Sequence, residues 1–240
     1  MNIVAIETAT ETVGVAVRTT EGVEAEFVLT GRRRHVESLT PALEHLLQQV
    51  GLQAADLGAV AVDLGPGLFT GLRVGVAAAK GLAQALGIGV VGLSSLDILL
   101  RAGFERGLEG RLLAAVDARR GEIFATLADL GHDGATTTVL GPALLTPAQL
   151  AETLAAAAGE GNGQGITAIG DGTRRYADQL GVVPGVRCVT GGLTFPPPGT
   201  LLAMALERLA ANVAPVRPEL VVPIYMRDAD AISNFTTVSS

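Results

Sequence analysis

The chain has 240 residues and a formal charge of −7, with 48% hydrophobic, 17% charged and 3% aromatic residues. That length allows one large domain or two of about 100–120 residues each, and buries a core without metals or disulfides. A lone cysteine, Cys188, excludes an internal disulfide, and an acidic chain without Trp makes a poor nucleic-acid binder, which needs clustered cations and stacking rings.

Residues 3–6, 13–17 and 23–29 read as three short strands, the second by its alternation of Val13, Val15 and Val17. A helix follows over 36–50, with Val36, Leu39, Leu43, Leu46, Leu47 and Val50 on one face. Pro41 lies inside this pattern, so the helix either kinks there or begins there behind Thr40. Residues 59–62 form a buried strand, and Gly65-Pro66-Gly67 leads into a second helix over about 71–86. The most apolar region, 72–100, is interrupted by Arg73, Lys80, Gln84 and Asp97. It therefore lacks the run of about 18 apolar residues that a membrane span requires. Residues 1–4 carry no basic segment ahead of the first apolar run, so neither a secretory leader nor membrane attachment is expected, and the expected location is cytoplasmic.

The order then recurs. Strands are expected over 112–116, 122–127 and 136–140, and Thr146 with Pro147 opens a helix to about 158. A glycine-rich loop over 159–165 leads to a strand over 166–169, and Gly170-Asp171-Gly172 precedes a helix to Leu180. An offset of about 110 residues brings Glu7 over Asp117, each an acid ending the first strand of its half. The expected division is 1–103 and 104–199, with a helix over about 200–213 packed back on the first part. An extended segment and tail then run over 214–240.

A duplicated βββαβα unit with an acid ending each first strand is the α/β plan of the actin, sugar-kinase and heat-shock ATPase folds. There the turns after the first strands face each other across a cleft and hold phosphate, which favours glycine. Residues 7–12, Glu-Thr-Ala-Thr-Glu-Thr, contain no glycine and add a second carboxylate. The turn from Asp117 to Gly121 has one glycine and the cations Arg119 and Arg120. Two readings stay open: a weak anion or nucleotide site at Glu7, Thr8, Asp117, Arg119 and Gly121, or two polar hairpin turns. The stretch 65–73, Gly-Pro-Gly-Leu-Phe-Thr-Gly-Leu-Arg, is neither a dinucleotide fingerprint nor a Walker loop. It serves either as an anion site using Gly67, Thr70, Gly71 and Arg73 or as a tight strand-to-helix corner.

The second helix is too apolar for one sheet to cover. Leu72, Gly75, Val76 and Ala79, with Val36, Leu39 and Leu43 of the first helix, form the expected partner face; the alternative is cover from other helices of the same chain. His35 and His45 would lie about 80° and some 15 Å apart on one helix and cannot share a metal. Together with His132 they read as solvated, and no metal site is expected. Arg32-Arg33-Arg34 reads as a solvated turn.

The opening 3–10, the loop 65–75, the hairpin 117–124 and the late Pro223-Ile224-Tyr225-Met226-Arg227 together resemble the TsaB (YeaZ) family over the whole chain. Glu7 stands where that family commonly has Asp, and Leu68 where it commonly has Ser. The resemblance implies a non-catalytic subunit of the bacterial machinery that makes threonylcarbamoyladenosine beside the tRNA anticodon. Its implied partners are a catalytic TsaD-like paralogue and a TsaE-like ATPase. It also implies self-pairing through the same N-terminal helices, tRNA contact only through the complex, and no cofactor beyond weakly bound nucleotide. The alternative is an ATP-binding phosphotransferase or ATPase of the same fold.

Overall fold

The computed structural model describes residues 1–31, 35–160, 165–189 and 191–226. Arg32-Arg33-Arg34, Arg227, most of the glycine-rich loop and the tail lie outside the described residues. The first sheet contains β1 (Asn2–Glu7), β2 (Thr12–Arg18), β3 (Glu24–Thr30), β4 (Leu57–Asp63) and β5 (Gly89–Leu93), in the order β3-β2-β1-β4-β5. The second contains β6 (Gly110–Arg119), β7 (Glu122–Leu130), β8 (Thr136–Leu145), β9 (Ile166–Ile169) and β10 (Val186–Cys188), in the order β8-β7-β6-β9-β10. The two orders are the same permutation. Each half begins with its central strand, adds two antiparallel neighbours by hairpins, then crosses over a helix to a parallel one. The fold is thus the duplicated βββαβα architecture of the actin, sugar-kinase and heat-shock ATPase class.

Helices α1 (His35–Gln49) and α2 (Phe69–Leu86) cover one face of the first sheet. Helix α3 (Ser95–Glu105) lies between the halves, α4 (Pro147–Glu160) covers the outer face of the second sheet, and the short α5 (Asp171–Arg175) and α6 (Ala177–Leu180) follow β9. Helix α7 (Pro198–Ala210) packs on the first sheet opposite α1 and α2. Strand alternation explains this layering. Val4, Ile6, Val60 and Val62 point toward α1 and α2, whereas Ala5, Ala16, Ala59 and Ala61 point toward α7, where small side chains let the helix seat Leu201, Leu202 and Ala205 close to the sheet.

Three of these elements were not expected from the pattern: β5, α3 and β10. β5 is short and lies in the apolar stretch 72–100, where burial blurs the period that tells strand from helix, whereas α3 carries a helical period, with Asp97, Arg101 and Glu105 four residues apart on its polar side. Gly89 and Gly92 also weaken the strand signal; a Cβ on either would lie 2.4 Å from Pro215 or 2.3 Å from Leu64. Ser94 caps α3, its hydroxyl accepting from the Leu96 N–H at 3.2 Å. Pro41 neither begins nor ends α1, which starts six residues earlier. Among the described residues no helix is long and apolar enough to cross a membrane.

Helix α3 is shared: Ile98 enters the core under α7, while Leu96, Leu99 and Leu100 enter the core of the second sheet. Arg101 pairs with Glu105 and with Glu207 of α7, and the Thr200 hydroxyl donates to Glu105 at 2.6 Å. Because Leu201 is fully buried in the α7 layer, Leu201→Ala is expected to cost about 2–5 kcal/mol of unfolding free energy in denaturant titration.

Candidate functional site

The end of β1 and the start of α2 meet in backbone contact. The Leu68 N–H donates to the Ala9 carbonyl at 2.6 Å, and the Thr8 hydroxyl donates to the Gly71 carbonyl at 2.8 Å. A Cβ on Gly67 would stand 2.1 Å from the Ala9 oxygen, one on Gly71 2.1 Å from the Thr8 oxygen, and one on Gly75 2.2 Å from the Thr8 hydroxyl. Glycine is required here for close approach of two chain segments. The second half repeats the device: a Cβ on Gly170 would lie 2.0 Å from the Ala115 oxygen. The carbonyl oxygens of Thr8 and Ala9 therefore face the beginning of α2, where a free anion would have had to sit. Thr70 is exposed, and Arg73 turns outward, its guanidinium 3.8 Å over the Phe69 ring and its Nε donating to the Tyr225 hydroxyl at 3.2 Å. Gly71→Ala is expected to destabilise the fold by about 3 kcal/mol or to prevent folding, read by chemical denaturation, because backbone rather than a side chain must yield.

Four carboxyl groups are buried around this junction: Glu7, Asp63, Asp117 and Asp171. Glu7 accepts from the Ala9 N–H at 2.7 Å through Oε1, and its Oε2 has no partner among the described residues. Burial, reinforced by Asp63 beside it, holds the Glu7 carboxyl well above the usual range. Asp63, ending the adjacent parallel strand, accepts from the Ser95 hydroxyl at 2.7 and 2.9 Å and from the Gly65 N–H at 2.7 Å. Burial outweighs these hydrogen bonds and pushes its pKa up to about 7. Asp171 accepts the Asp117 N–H at 2.9 Å and is pushed by burial to about 6.

Asp117 is neutralised by cations instead. Arg119 Nη1 lies 2.9 Å and Arg175 Nη1 3.5 Å from its Oδ2, and the Arg119 N–H donates to Oδ1 at 2.9 Å. The turn that aims Arg119 is a two-residue hairpin loop, Arg120-Gly121, with φ of 54° and 80° as such loops demand, and the register shift between Asp117 and Arg119 places Arg119 itself at a φ of 62°. From there Arg119 Nη2 also pairs with Glu11 of the opposite turn, across the cleft. Asp117 is thus held by two guanidinium groups, whereas Glu7 is enclosed by the fold.

His35, read from sequence as solvated, is buried, with Nε2 2.9 Å from the Thr10 carbonyl; it braces the first turn from the start of α1. Its place at a helix start, next to a turn rich in backbone acceptors, was the available signal. His45 is exposed, His132 is exposed beside Glu109, and no cluster fit to hold a metal occurs among the described residues. The expected partner face is also corrected. Leu39, Leu72, Val76 and Ala79 are buried in the chain's own fold and Gly75 lies against Thr8, because the first sheet, α1 and the segment around Val221 supply the cover. Val36 is 72% exposed and Leu43 half-buried. The outward line of α2 is Phe69, Arg73, Ala77, Gly81 and Ala85.

Asp63 and Asp171 have folded-state pKa values raised above those of an unfolded chain. Their protonation favours the folded state. The stability they contribute is complete below about pH 4 and is lost as pH rises through about 6 and then 7. Unfolding curves between pH 4 and 8 are expected to show this component falling with pH, and Asp63→Asn to flatten its upper part.

The fold and this cleft define a class: a two-lobed actin-type chain in which the acid near the end of the second lobe's central strand is ion-paired by the chain's own arginines. A family model described as "TsaD: tRNA N6-adenosine threonylcarbamoyltransferase" matches residues 23–234. The "tRNA threonylcarbamoyladenosine biosynthesis protein TsaB" of Escherichia coli is 30% identical over 228 residues, 95% of each chain. The Bacillus subtilis protein of the same name is 36% identical over 127 residues, 53% of this chain and 55% of that one. A solved structure titled "YeaZ from Pseudomonas aeruginosa" superimposes with a TM-score of 0.77 at 28% identity, covering 93% of this chain and 99% of that one. The chain belongs to the TsaB (YeaZ) family.

Proposed function

We propose that this protein takes part in tRNA threonylcarbamoyladenosine biosynthesis as a non-catalytic subunit. In this reading it pairs with a TsaD-like paralogue, which transfers the threonylcarbamoyl group from its adenylate to the tRNA adenosine beside the anticodon. Membership of the TsaB family supports the pathway. The observation that carries the non-catalytic part is the ion pairing of Asp117, whose Oδ2 is shared between Arg119 and Arg175 and so is not a free carboxylate for a metal–triphosphate; Glu7 is fully buried, with one oxygen on the Ala9 N–H. The protein needs no cofactor of its own. With a net charge of −7 it meets tRNA only through the complex. A TsaE-like ATPase completes the assembly, which works in the cytoplasm.

The partner face in this reading is the outer side of α1 and α2, redrawn from the buried positions to the exposed ones: Val36, Ala77, Gly81 and Ala85, with Phe69 and Arg73 at one end. Small exposed residues allow a second helix to approach closely, and a second copy of the chain competes for the same face. Native mass spectrometry of the chain mixed with its genome's TsaD-like paralogue is expected to give a heterodimer. Ala77→Glu and Gly81→Glu, both at open surface positions, are expected to weaken pairing at least tenfold with an unchanged melting temperature. Normal pairing by both variants would move the interface elsewhere, and no pairing by the wild type would end the subunit reading.

A further inference from the structure

On the α7 side of the first sheet, opposite α1 and α2, β3 meets the crossover that brings the chain from the second lobe into α7. A cavity of about 350 Å3 opens there, lined by Glu26 and Thr30 of β3, Arg106 at the end of α3, and Thr194 and Phe195 of the crossover. That volume falls in the range of small-molecule sites, roughly 300–1,000 Å3. Its wall is stiff. Pro196, Pro197 and Pro198 each fix φ, and Pro198 is seated on the sheet against Gly14, where a Cβ would lie 2.9 Å from the proline Cγ. The Phe195 ring is approached from the second lobe by Arg174, whose guanidinium stands 5.7 Å from its centroid. Two opposite charges line this space without neutralising each other. Glu26 reaches the first turn of α7, its Oε2 3.0 Å from the Cβ position of Gly199 and its carboxylate facing that residue's N–H. Burial raises the Glu26 pKa more than the Gly199 N–H and Arg106 lower it, as for a carboxylate short of a cation. Arg106 lies along the loop at Gly192, where a Cβ would stand 3.1 Å from Nη1. Its guanidinium has no hydrogen bond or ion pair among the described residues, and its field reaches Glu26 without closing a salt bridge.

We propose that this cavity is a binding site for a free α-amino acid, whose ammonium group pairs with Glu26 and whose carboxylate takes the Arg106 guanidinium. A ligand of one charge would satisfy one of these groups and be repelled by the other. A zwitterion satisfies both, and a guanidinium fork matches the two oxygens of a carboxylate. The rest of the wall mixes the Thr30 and Thr194 hydroxyls with the prolines and the Phe195 ring, which suits a small side chain carrying a hydroxyl. Because that wall is already rigid, little ordering entropy opposes binding. The site shares no side chain with the partner face or with the strand-end acids, so it adds a ligand to the subunit reading without resting on it.

Calorimetry of the full chain with L-threonine, and separately with glycine, tests it. L-threonine is expected to bind with a Kd of about 1 mM or tighter. N-acetyl-L-threonine lacks the ammonium charge and L-threoninamide lacks the carboxylate, and each is expected to bind about tenfold or more weakly. Glu26→Gln keeps an oxygen toward the Gly199 N–H but removes the charge, and Arg106→Gln removes an exposed cation. Each variant is expected to weaken L-threonine binding by about tenfold or more, with melting curves confirming that both fold. Equal affinity for glycine assigns recognition to the two backbone charges alone; weaker binding of glycine adds a contribution from the side chain. No binding of either amino acid, equal binding of a blocked form, or wild-type affinity in either variant overturns the site.

Discussion

The contact on which the molecule is organised is the seating of a helix start on the end of a central strand. In the first half, α2 begins against the carbonyls of Thr8 and Ala9, and the approach is possible only because residues 67, 71 and 75 have no side chain. The second half repeats it with Gly170 over Ala115. In the first half the seat lies just past the end of β1, next to Glu7; in the second, Gly170 meets Ala115 inside β6, two residues before Asp117. A glycine-rich corner of this kind resembles a phosphate loop in composition, but the space it opens is filled by backbone oxygen.

Two different devices then dispose of the charge that this geometry gathers. On one side Glu7 and Asp63 end neighbouring parallel strands inside the protein, where burial makes a proton cheaper to keep than a second negative charge. On the other, Asp117 lies at the base of a hairpin that returns the Arg119 guanidinium to it, and Arg175 of α5 supplies a second. An actin-type cleft that performs phosphoryl transfer keeps its acids available for a cation. Here Asp117 is ion-paired within the chain and Asp63 is held by the Ser95 hydroxyl and the Gly65 N–H.

The lobes are joined by more than their turns. Helix α3 contributes to both cores and is tied to α7 by Arg101, Glu105, Thr200 and Glu207, so the layer between the sheets is continuous. This places a packed support on one side of the cleft and the Glu11–Arg119 pair on the other.

Much of this was legible in the chain. Alternating valines, capped helix starts and the recurrence of an acid after each first strand determine the duplicated βββαβα order, since hydrophobic period and turn chemistry are local properties. The stretches 65–75 and 117–124 likewise determine the family. Three things were decided only by tertiary structure. Burial on both faces concealed β5, because a short strand covered on both sides carries no period. Leu72, Val76 and Ala79 went to the interior and Ala77 and Gly81 to the surface, because which stripe of an apolar helix faces the sheet depends on how the sheet meets it. The pairing of Glu11 with Arg119 spans more than a hundred residues, and only the packing of one lobe against the other brings those charges together.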